Sequence, residues 1–433
     1  MSEVWLSGIG ILLALAGMTL LIFRRVSPII VGPLAALLVT LLSRLPVLET
    51  VTGTYVQGVG SFFVSYFMIF LLGNLLGSLY QISGAAAKIG ETVVRRFGAK
   101  NCMTACLISA ALLSYGGINS FVIIFAIYPI ALKLFEEADL PTYLLPGIVC
   151  GGMWTFAMTG PFSPQICNIV SMQSLGTPSY AGLVPGLAAS VVMAVLIVWY
   201  MNGQAKKAKL RGEHFTPPEG GVRRHEGKAP GAAVSFIPLA AVILLFNVTE
   251  IGIVACLLIG IVLSLVLFYR SIPWKELLPA VNQAATTSVT VIINTATIVG
   301  FGAVAKITPF YVWAVDLLEQ STANPYVVAA VGSNLFACIL GSSSGGLTLM
   351  YTSLKDVFLA YAAQGFNLEF IHRLCSLGSG GLDSMPWNGS IVSVFGICHT
   401  THKASYKYNF VTCAVIPVLC TFLIALPICI WLG

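Results

Sequence analysis

Between Asp139 and Lys206 the chain runs for 66 residues without one Asp, Glu, Lys, Arg or His. A soluble domain carries charge at roughly one residue in four, so a stretch of this length has no soluble face to present. A bilayer suits this pattern, because about 20 apolar residues in a helix cross its hydrocarbon core. The rest of the 433 residues agrees, with 9% charged and 57% apolar. That composition excludes a disordered chain and an ordinary soluble enzyme. It also leaves no basic domain outside the membrane to hold nucleic acid. The eleven Cys are scattered singly through apolar segments, as at Cys106, Cys256 and Cys420, and read as small, reduced, buried residues. Residues 4–23 lack a basic leader and a small-residue cleavage site, so they are expected to form the first span.

Hydropathy places spans at 5–23, 28–45 and 59–82, a polar connector at 84–100, apolar regions at 101–135 and 143–175, and a span at 181–202. After the hydrophilic loop 203–230 the order recurs: 231–248, 251–269, 280–305, connector 306–324, regions 325–363 and 371–400, and span 408–431. Gly116, Gly117, Gly151, Gly152 and Gly160 reappear as Gly345, Gly346, Gly380, Gly381 and Gly389, each displaced by 229. Five glycines at one offset over matching hydropathy predict two copies of one unit, residues 1–202 and 231–433, joined by the linker 203–230. Single glycine pairs also serve close helix packing, so the coincidence carries the argument.

Regions 101–135 and 325–363 each contain an uncharged, Gly-rich break, Ser114-Tyr115-Gly116-Gly117-Ile118-Asn119-Ser120 and Gly341-Ser342-Ser343-Ser344-Gly345-Gly346. Their limbs, about 12–17 residues each, are short for a full crossing at 1.5 Å per residue. Both are expected to be re-entrant hairpins. Five crossings per half then remain, an odd number, which turns the second copy upside down in the membrane. With loop 203–230 in the cytoplasm, 18 of the 22 basic residues fall inside, against Arg44, Lys306, Lys355 and Arg373 outside. Both termini are then outside. The fold class expected is an all-α polytopic membrane protein of two inverted-topology repeats.

Regions 143–175 and 371–400 are broken in turn. The first holds Gly151-Gly152-Met153-Trp154-Thr155-Phe156-Ala157-Met158-Thr159-Gly160-Pro161, and the second Gly380-Gly381-Leu382-Asp383-Ser384-Met385-Pro386-Trp387-Asn388-Gly389. Glycines end a helix, hydroxyls and amides line the unwound stretch, and Pro lets the next half-helix begin. Non-helical backbone at membrane depth needs protein or a wet cavity around it, and half-helix ends there suit ions and anions. The substrate site is therefore expected around Gly116, Gly117, Asn119, Ser120, Thr155, Thr159, Ser343, Ser344, Gly345, Gly346, Ser384 and Asn388.

Asp383 is the one carboxylate after Glu369. It reads as the ion-coupling residue, with a helix cap for the half-helix near Trp387 as the simpler alternative. Lys355 and Asp356 read as interfacial anchors or transport residues. Arg373 either draws carboxylates from outside or, more simply, snorkels to the headgroups. Gly341-Ser342-Ser343-Ser344-Gly345 fits G-x-S-x-G but lacks the strand–turn–helix context, and no His is expected at that depth to activate a serine. His399 and His402 share a helical face beside Lys403 and read as interfacial residues, with no metal or other cofactor expected.

The stretch His372-Arg373-Leu374-Cys375-Ser376-Leu377-Gly378-Ser379-Gly380-Gly381-Leu382-Asp383-Ser384-Met385-Pro386-Trp387-Asn388-Gly389, with His402-Lys403 downstream, resembles the gluconate permease (GntP) family of the ion-transporter superfamily. The resemblance implies a cation-coupled importer of small organic anions and a homodimer in the bacterial inner membrane. It looks closest to the branch handling short hydroxy-monocarboxylates such as 3-hydroxybutyrate. That branch tends to carry His after the Pro, where this chain has Trp387, a change that favours a smaller or more apolar anion. The resulting expectation is a proton-coupled symporter of a hydroxy acid or sugar acid. The alternatives are a Na⁺-coupled carboxylate transporter and an intramembrane serine hydrolase.

Overall fold

A computed structural model describes residues 2–24, 26–218, 229–249, 251–319, 324–386 and 388–433. Trp387, and Arg25, Arg223, Arg224 and Lys228 among the basic residues placed inside, lie outside the described residues. The described residues form helices and connections, with no strand among them.

The first half begins with α1 (Ser2–Phe23) and α2 (Pro28–Leu42). Ser27 caps α2 by accepting from the Ile29 amide, and Pro28 takes the first helical position, where no donor is needed. A continuous helix α3 (Val47–Ile82) follows, twelve residues longer at its start than the hydropathic span, because its polar first turns remain helical. The connector is an amphipathic helix, α4 (Ala85–Phe97), entered through Gly84 at φ 73°. Next come α5 (Cys102–Tyr115) and α6 (Ser120–Glu137), then three pieces, α7 (Leu145–Met153), α8 (Phe156–Thr159) and α9 (Ile166–Leu175), and the long α10 (Leu183–Leu210).

The second half runs α11 (Ala232–Val248), α12 (Ile253–Leu267), α13 (Trp274–Lys306), α14 (Pro309–Glu319), α15 (Pro325–Leu340), α16 (Ser343–Ala363), α17 (Leu368–Ser379), α18 (Gly389–Ile397) and α19 (His402–Leu432). Limbs α5 and α6 pack against each other, as do α15 and α16. By length and apolarity, four of the described helices can cross a bilayer alone: α3, α10, α13 and α19. The other expected crossings fall on shorter apolar helices or on the interrupted ones.

Helices of the two halves interleave. α3 lies along α13, where Asn74 Nδ2 donates to Ser288 Oγ at 2.9 Å. α2 packs on α13 as well, with Thr297 Oγ1 donating to the Pro28 carbonyl at 3.2 Å. A Cβ on Gly32 would stand 2.5 Å from the Thr297 carbonyl oxygen, so only glycine lets these backbones meet. A small core of Ala14, Met18, Val31, Val39 and Phe301 seals this group. The larger core holds the hairpins and the broken helices, flanked by α10 and α19.

Candidate substrate and ion site

The first break is built on backbone acceptors and short polar side chains. α7 runs through Gly151 and Gly152 and ends at Met153, so these glycines serve packing inside the helix and do not end it. A Cβ on Gly152 would lie 2.5 Å from the Leu107 carbonyl oxygen in α5. Thr155 Oγ1 returns to the Gly151 carbonyl at 2.6 Å, and Thr159 Oγ1 to the Thr155 carbonyl at 3.1 Å. Ser163 Oγ donates to the Ala157 carbonyl at 2.8 Å. Phe162 holds a left-handed φ of 65°, a costly geometry for a bulky residue. Its amide donates to the Ser179 carbonyl, and its carbonyl accepts from Asn247 Nδ2 at 3.1 Å.

The first hairpin tip is fastened to this break. Ser114 Oγ donates to the Met153 carbonyl at 2.8 Å, and Gln165 Nε2 donates to the Ser114 carbonyl at 2.6 Å. The Trp154 indole donates to Ser120 Oγ at 2.8 Å. Gly117, at φ 78°, turns the chain beside Pro164, while Gly116 backs onto Leu239 of α11. Asn119 is half-buried and accepts the Ile123 amide at the start of α6.

The second break differs in kind. α17 ends at Ser379, and α18 restarts at Gly389 under an Asn388 cap whose Oδ1 accepts from the Ser390 amide at 2.7 Å and the Ile391 amide at 3.3 Å. The cap is therefore Asn388, which leaves Asp383 free of that role. Asp383 is 6% exposed. Ser384 Oγ donates to its Oδ1 at 3.0 Å, and the Ser343 hydroxyl faces the same carboxylate. Asn388 Nδ2 donates to the Asp383 carbonyl at 3.0 Å, and Tyr406 Oη to the Ser384 carbonyl at 3.1 Å. No Lys, Arg or His pairs with Asp383 among the described residues.

The second tip reaches both breaks. Ser343 begins α16 and points its hydroxyl at Met158 Sδ, 3.9 Å away, as well as at Asp383. The Cys167 thiol of α9 meets the Ser343 and Ser379 hydroxyls. A Cβ on Gly380 would stand 2.5 Å from Thr159 Cγ2, so the two breaks touch. Ser343, Ser384 and Asn388 thus gather about Asp383, with Thr159 against Gly380 at the edge of the same break, whereas Gly116, Gly117 and Ser120 belong to the first tip. Ser342 caps α16 through the Gly345 amide, and Ser344 is half-buried. Gly346 packs limb on limb: a Cβ there would come within 2.4 Å of the Ala337 backbone. The return limbs start at Ser120 and Ser343, an interval of 223, so the glycines spaced by 229 sit at different places in the two tips.

Two expectations are overturned. Arg373 does not snorkel to headgroups; it is 0% exposed. Its Nε donates to the Ala181 carbonyl at 2.8 Å, Nη1 to the Thr159 carbonyl at 2.6 Å, and Nη2 to Asn168 Oδ1 at 3.2 Å and the Ser179 carbonyl at 3.3 Å. The fork of a guanidinium fits several fixed acceptors at once, and the first broken region and the turn between α9 and α10 supply them. His372 is also fully buried, with Nδ1 at 2.6 Å from Thr177 Oγ1 and Nε2 at 2.9 Å from Asn168 Oδ1. A histidine does lie inside the protein, but its ring bonds are to Thr177 and Asn168 and not to Ser343.

Sequence reading missed Gln165, Cys167 and Asn168. The signal was present: an amide at 165 and another at 168, one helical step of three apart, in an otherwise apolar run. Lys355 and Asp356, neighbours on a helix, are expected to serve different partners, and that of Asp356 is Lys306, with Oδ2 at 3.1 Å from Nζ.

Hydrophobic helices wrapped around two interrupted ones, with polar groups gathered at the interruptions, define a membrane transporter and not an enzyme. The chain belongs to the GntP family permeases, whose sequence profile matches residues 6–259. It is similar to the uncharacterized transporter YxjC of Bacillus subtilis (strain 168), at 29% identity over 92% of this chain and 94% of that protein. A further relative is an uncharacterized permease of Haemophilus influenzae (strain ATCC 51907 / DSM 11121 / KW20 / Rd), 25% identical over 56% of this chain and 51% of that one. The fold is similar to that in the crystal structure of the Alcanivorax borkumensis YdaH transporter, with a TM-score of 0.60, 89% coverage of both chains and 13% identity.

Proposed function

We propose that this permease is a proton-coupled symporter that imports a small organic carboxylate, such as a hydroxy acid or sugar acid. The observation that carries the reading is Asp383, a buried carboxylate faced by the Ser384 and Ser343 hydroxyls at the meeting point of two breaks and one hairpin tip. A buried carboxylate is costly unless neutralised, hydrated or ion-bound. With no cation beside it among the described residues, a proton from solution is the simplest neutraliser. The substrate anion would sit against the first turn of α16, where Ser342 uses the Gly345 amide and the helix dipole favours negative charge. Ser343, Ser384, Asn388 and Thr159 would border it, with Gly116, Gly117, Asn119 and Ser120 forming the matching tip of the first half.

Alternating access in this reading comes from two inverted-topology repeats, residues 1–202 and 231–433, with re-entrant hairpins at 101–135 and 325–363. The protein would work as a homodimer in the bacterial inner membrane, with loop 203–230 cytoplasmic and both termini outside. The similar order of helices in the two halves and the charge distribution support this arrangement.

A sodium-coupled version has its own support. Asn334 Oδ1, within α15, is buried without a hydrogen-bond partner beside Gly381, just past the end of α17, and a carbonyl-type oxygen there suits a hard cation. Uptake of hydroxy acids into proteoliposomes under an imposed ΔpH or an imposed ΔpNa separates the two. Accumulation driven by ΔpH alone is the expected result. Accumulation driven only by ΔpNa would replace the proton with sodium, and equilibration without accumulation under either would reject symport.

A further inference from the structure

A second charged site lies away from Asp383, where the end of α10 meets the start of α19. Tyr143 and Tyr408 stack there with ring centroids 5.3 Å apart and planes at 20°, and Ser405 Oγ ties the Tyr143 carbonyl to α19 at 2.9 Å. Above this aromatic floor opens a cavity of about 520 Å³ lined by Arg211, Glu213, Lys403 and Lys407. Lys403 and Lys407 are four residues apart and so share one face of α19; Lys407 Nζ stands 4.7 Å from the Tyr408 ring centroid. Arg211 Nε donates to Glu213 Oε1 at 2.7 Å, and the Tyr143 hydroxyl also bonds Glu213. Glu213 is thereby held down to about pH 2, chiefly by Arg211, and remains an anion spent on that partner. Neither lysine forms an ion pair among the described residues, although Lys407 also contributes to the field that holds Glu213 ionised.

The start of α19 adds to this charge. Thr401 Oγ1 accepts the Ala404 amide, while the amides of the first turn before it face outward from a helix of 31 residues. Lys403, Lys407 and Arg211 line one opening, together with Ala404 of the first turn of that helix.

We propose that this cavity binds a phosphate group carried on an organic body. A tetrahedral dianion satisfies several cations at once, and the remaining volume over the tyrosine floor accommodates the attached group. Two sources share this chemistry: the headgroup of an anionic phospholipid, and a soluble phosphate ester. Occupancy would fasten α10 and α19, the closing helices of the two halves, to the loop that leads into the first broken helix.

The test uses the full chain in detergent and in nanodiscs. One arm measures retained phosphatidylglycerol, against phosphatidylcholine, by native mass spectrometry. The other measures glycerol 3-phosphate and inorganic phosphate by equilibrium dialysis at low and high salt. At least one arm should show binding that weakens with salt and falls about tenfold or more in K403Q/K407Q, the loss expected for removing about 1.4 kcal/mol of contact. K403R/K407R should keep binding within about threefold. Both lysines are exposed, so melting temperatures of the variants should match the parent, which separates lost binding from lost folding. Response in the lipid arm alone assigns the headgroup, and response in the dialysis arm alone assigns the soluble ester. Salt-insensitive binding, binding unchanged in K403Q/K407Q, or no binding in either arm would overturn the proposal.

Discussion

The two broken helices hold opposite charges and treat them differently. The first break, near Thr159 and Asn168, is uncharged in sequence yet receives Arg373 from the other half, and it meets that cation with three carbonyls and one amide oxygen. The second break carries Asp383 and gives it hydroxyls. A buried guanidinium and a buried carboxyl group lie in neighbouring segments and do not pair. Pairing them would fix both. Kept apart, the cation is held by four fixed acceptors, and the carboxyl group keeps only hydroxyl partners. In the proposed mechanism the first break is framework, and the second would carry the chemistry.

The largest effect should come from removing the lock. Arg373→Met strips the first break of its guanidinium donors and leaves the buried Thr159 and Ala181 carbonyls unpaired, each worth about 1–3 kcal/mol, while the Ser179 carbonyl keeps the Phe162 amide. Fluorescence-detected size exclusion should show loss of the monodisperse peak and a large drop in melting temperature. A variant that folds normally would mean that the socket is not framework. Gly346→Ala comes next, since its Cβ would lie 2.4 Å from the Ala337 backbone; overpacking of this kind costs about 1–3 kcal/mol. The hairpin limbs should separate, visible as faster hydrogen exchange across α15 and α16, whereas Gly117→Ala should act only through its left-handed φ.

A smaller loss is expected at the second break. Asn388→Ala removes the cap of α18, worth about 1 kcal/mol, and should raise the substrate KM more than it lowers melting temperature. Asn388→Asp, which can still cap, should restore the fold and not the uptake, because it puts a second carboxylate near Asp383. Equal uptake in both variants would make Asn388 a cap and nothing more.

The smallest effect lies at the distant end of the molecule. Glu213 is held down to about pH 2 by Arg211, and the Phe215 amide, with His214, holds Asp139 below its ordinary range. Depressed carboxylates contribute fully above their unfolded pKa, near 4, and lose the contribution as pH falls through the folded value. Segment 211–215 should thus stay docked on residues 139–143 at pH 4 and release as pH approaches 2. Pepsin cleavage within this segment at the lower pH, against protection at the higher one, measures it.

These differences explain what was legible in the chain. The interruptions were, since Gly and Pro act locally on the backbone that carries them. Asp383 stood out because a lone carboxylate in an apolar run needs a reason. The fate of Arg373 was hidden, because its acceptors include backbone carbonyls of Thr159, Ser179 and Ala181, 192 to 214 residues away, which no side-chain pattern announces. The glycine offset of 229 predicts two similar halves, but the return limbs start 223 apart, at Ser120 and Ser343, so Gly116 and Gly345 do not occupy matching positions in the two tips. The cap was assigned to Asp383 or left open, while Asn388, adjacent to the helix it starts, performs it.

The account rests on Asp383 as the group that couples ion to substrate. Wild type and Asp383→Asn, reconstituted side by side, should be compared in two modes: counterflow with equal pH on both sides, and net uptake under an imposed inward proton gradient. Asparagine keeps the size and accepts the same hydroxyl hydrogen bonds but takes up no proton. The account predicts that Asp383→Asn retains counterflow and loses gradient-driven accumulation by about tenfold or more, equivalent to at least about 1.4 kcal/mol of lost coupling. Full accumulation by Asp383→Asn under the proton gradient would contradict it.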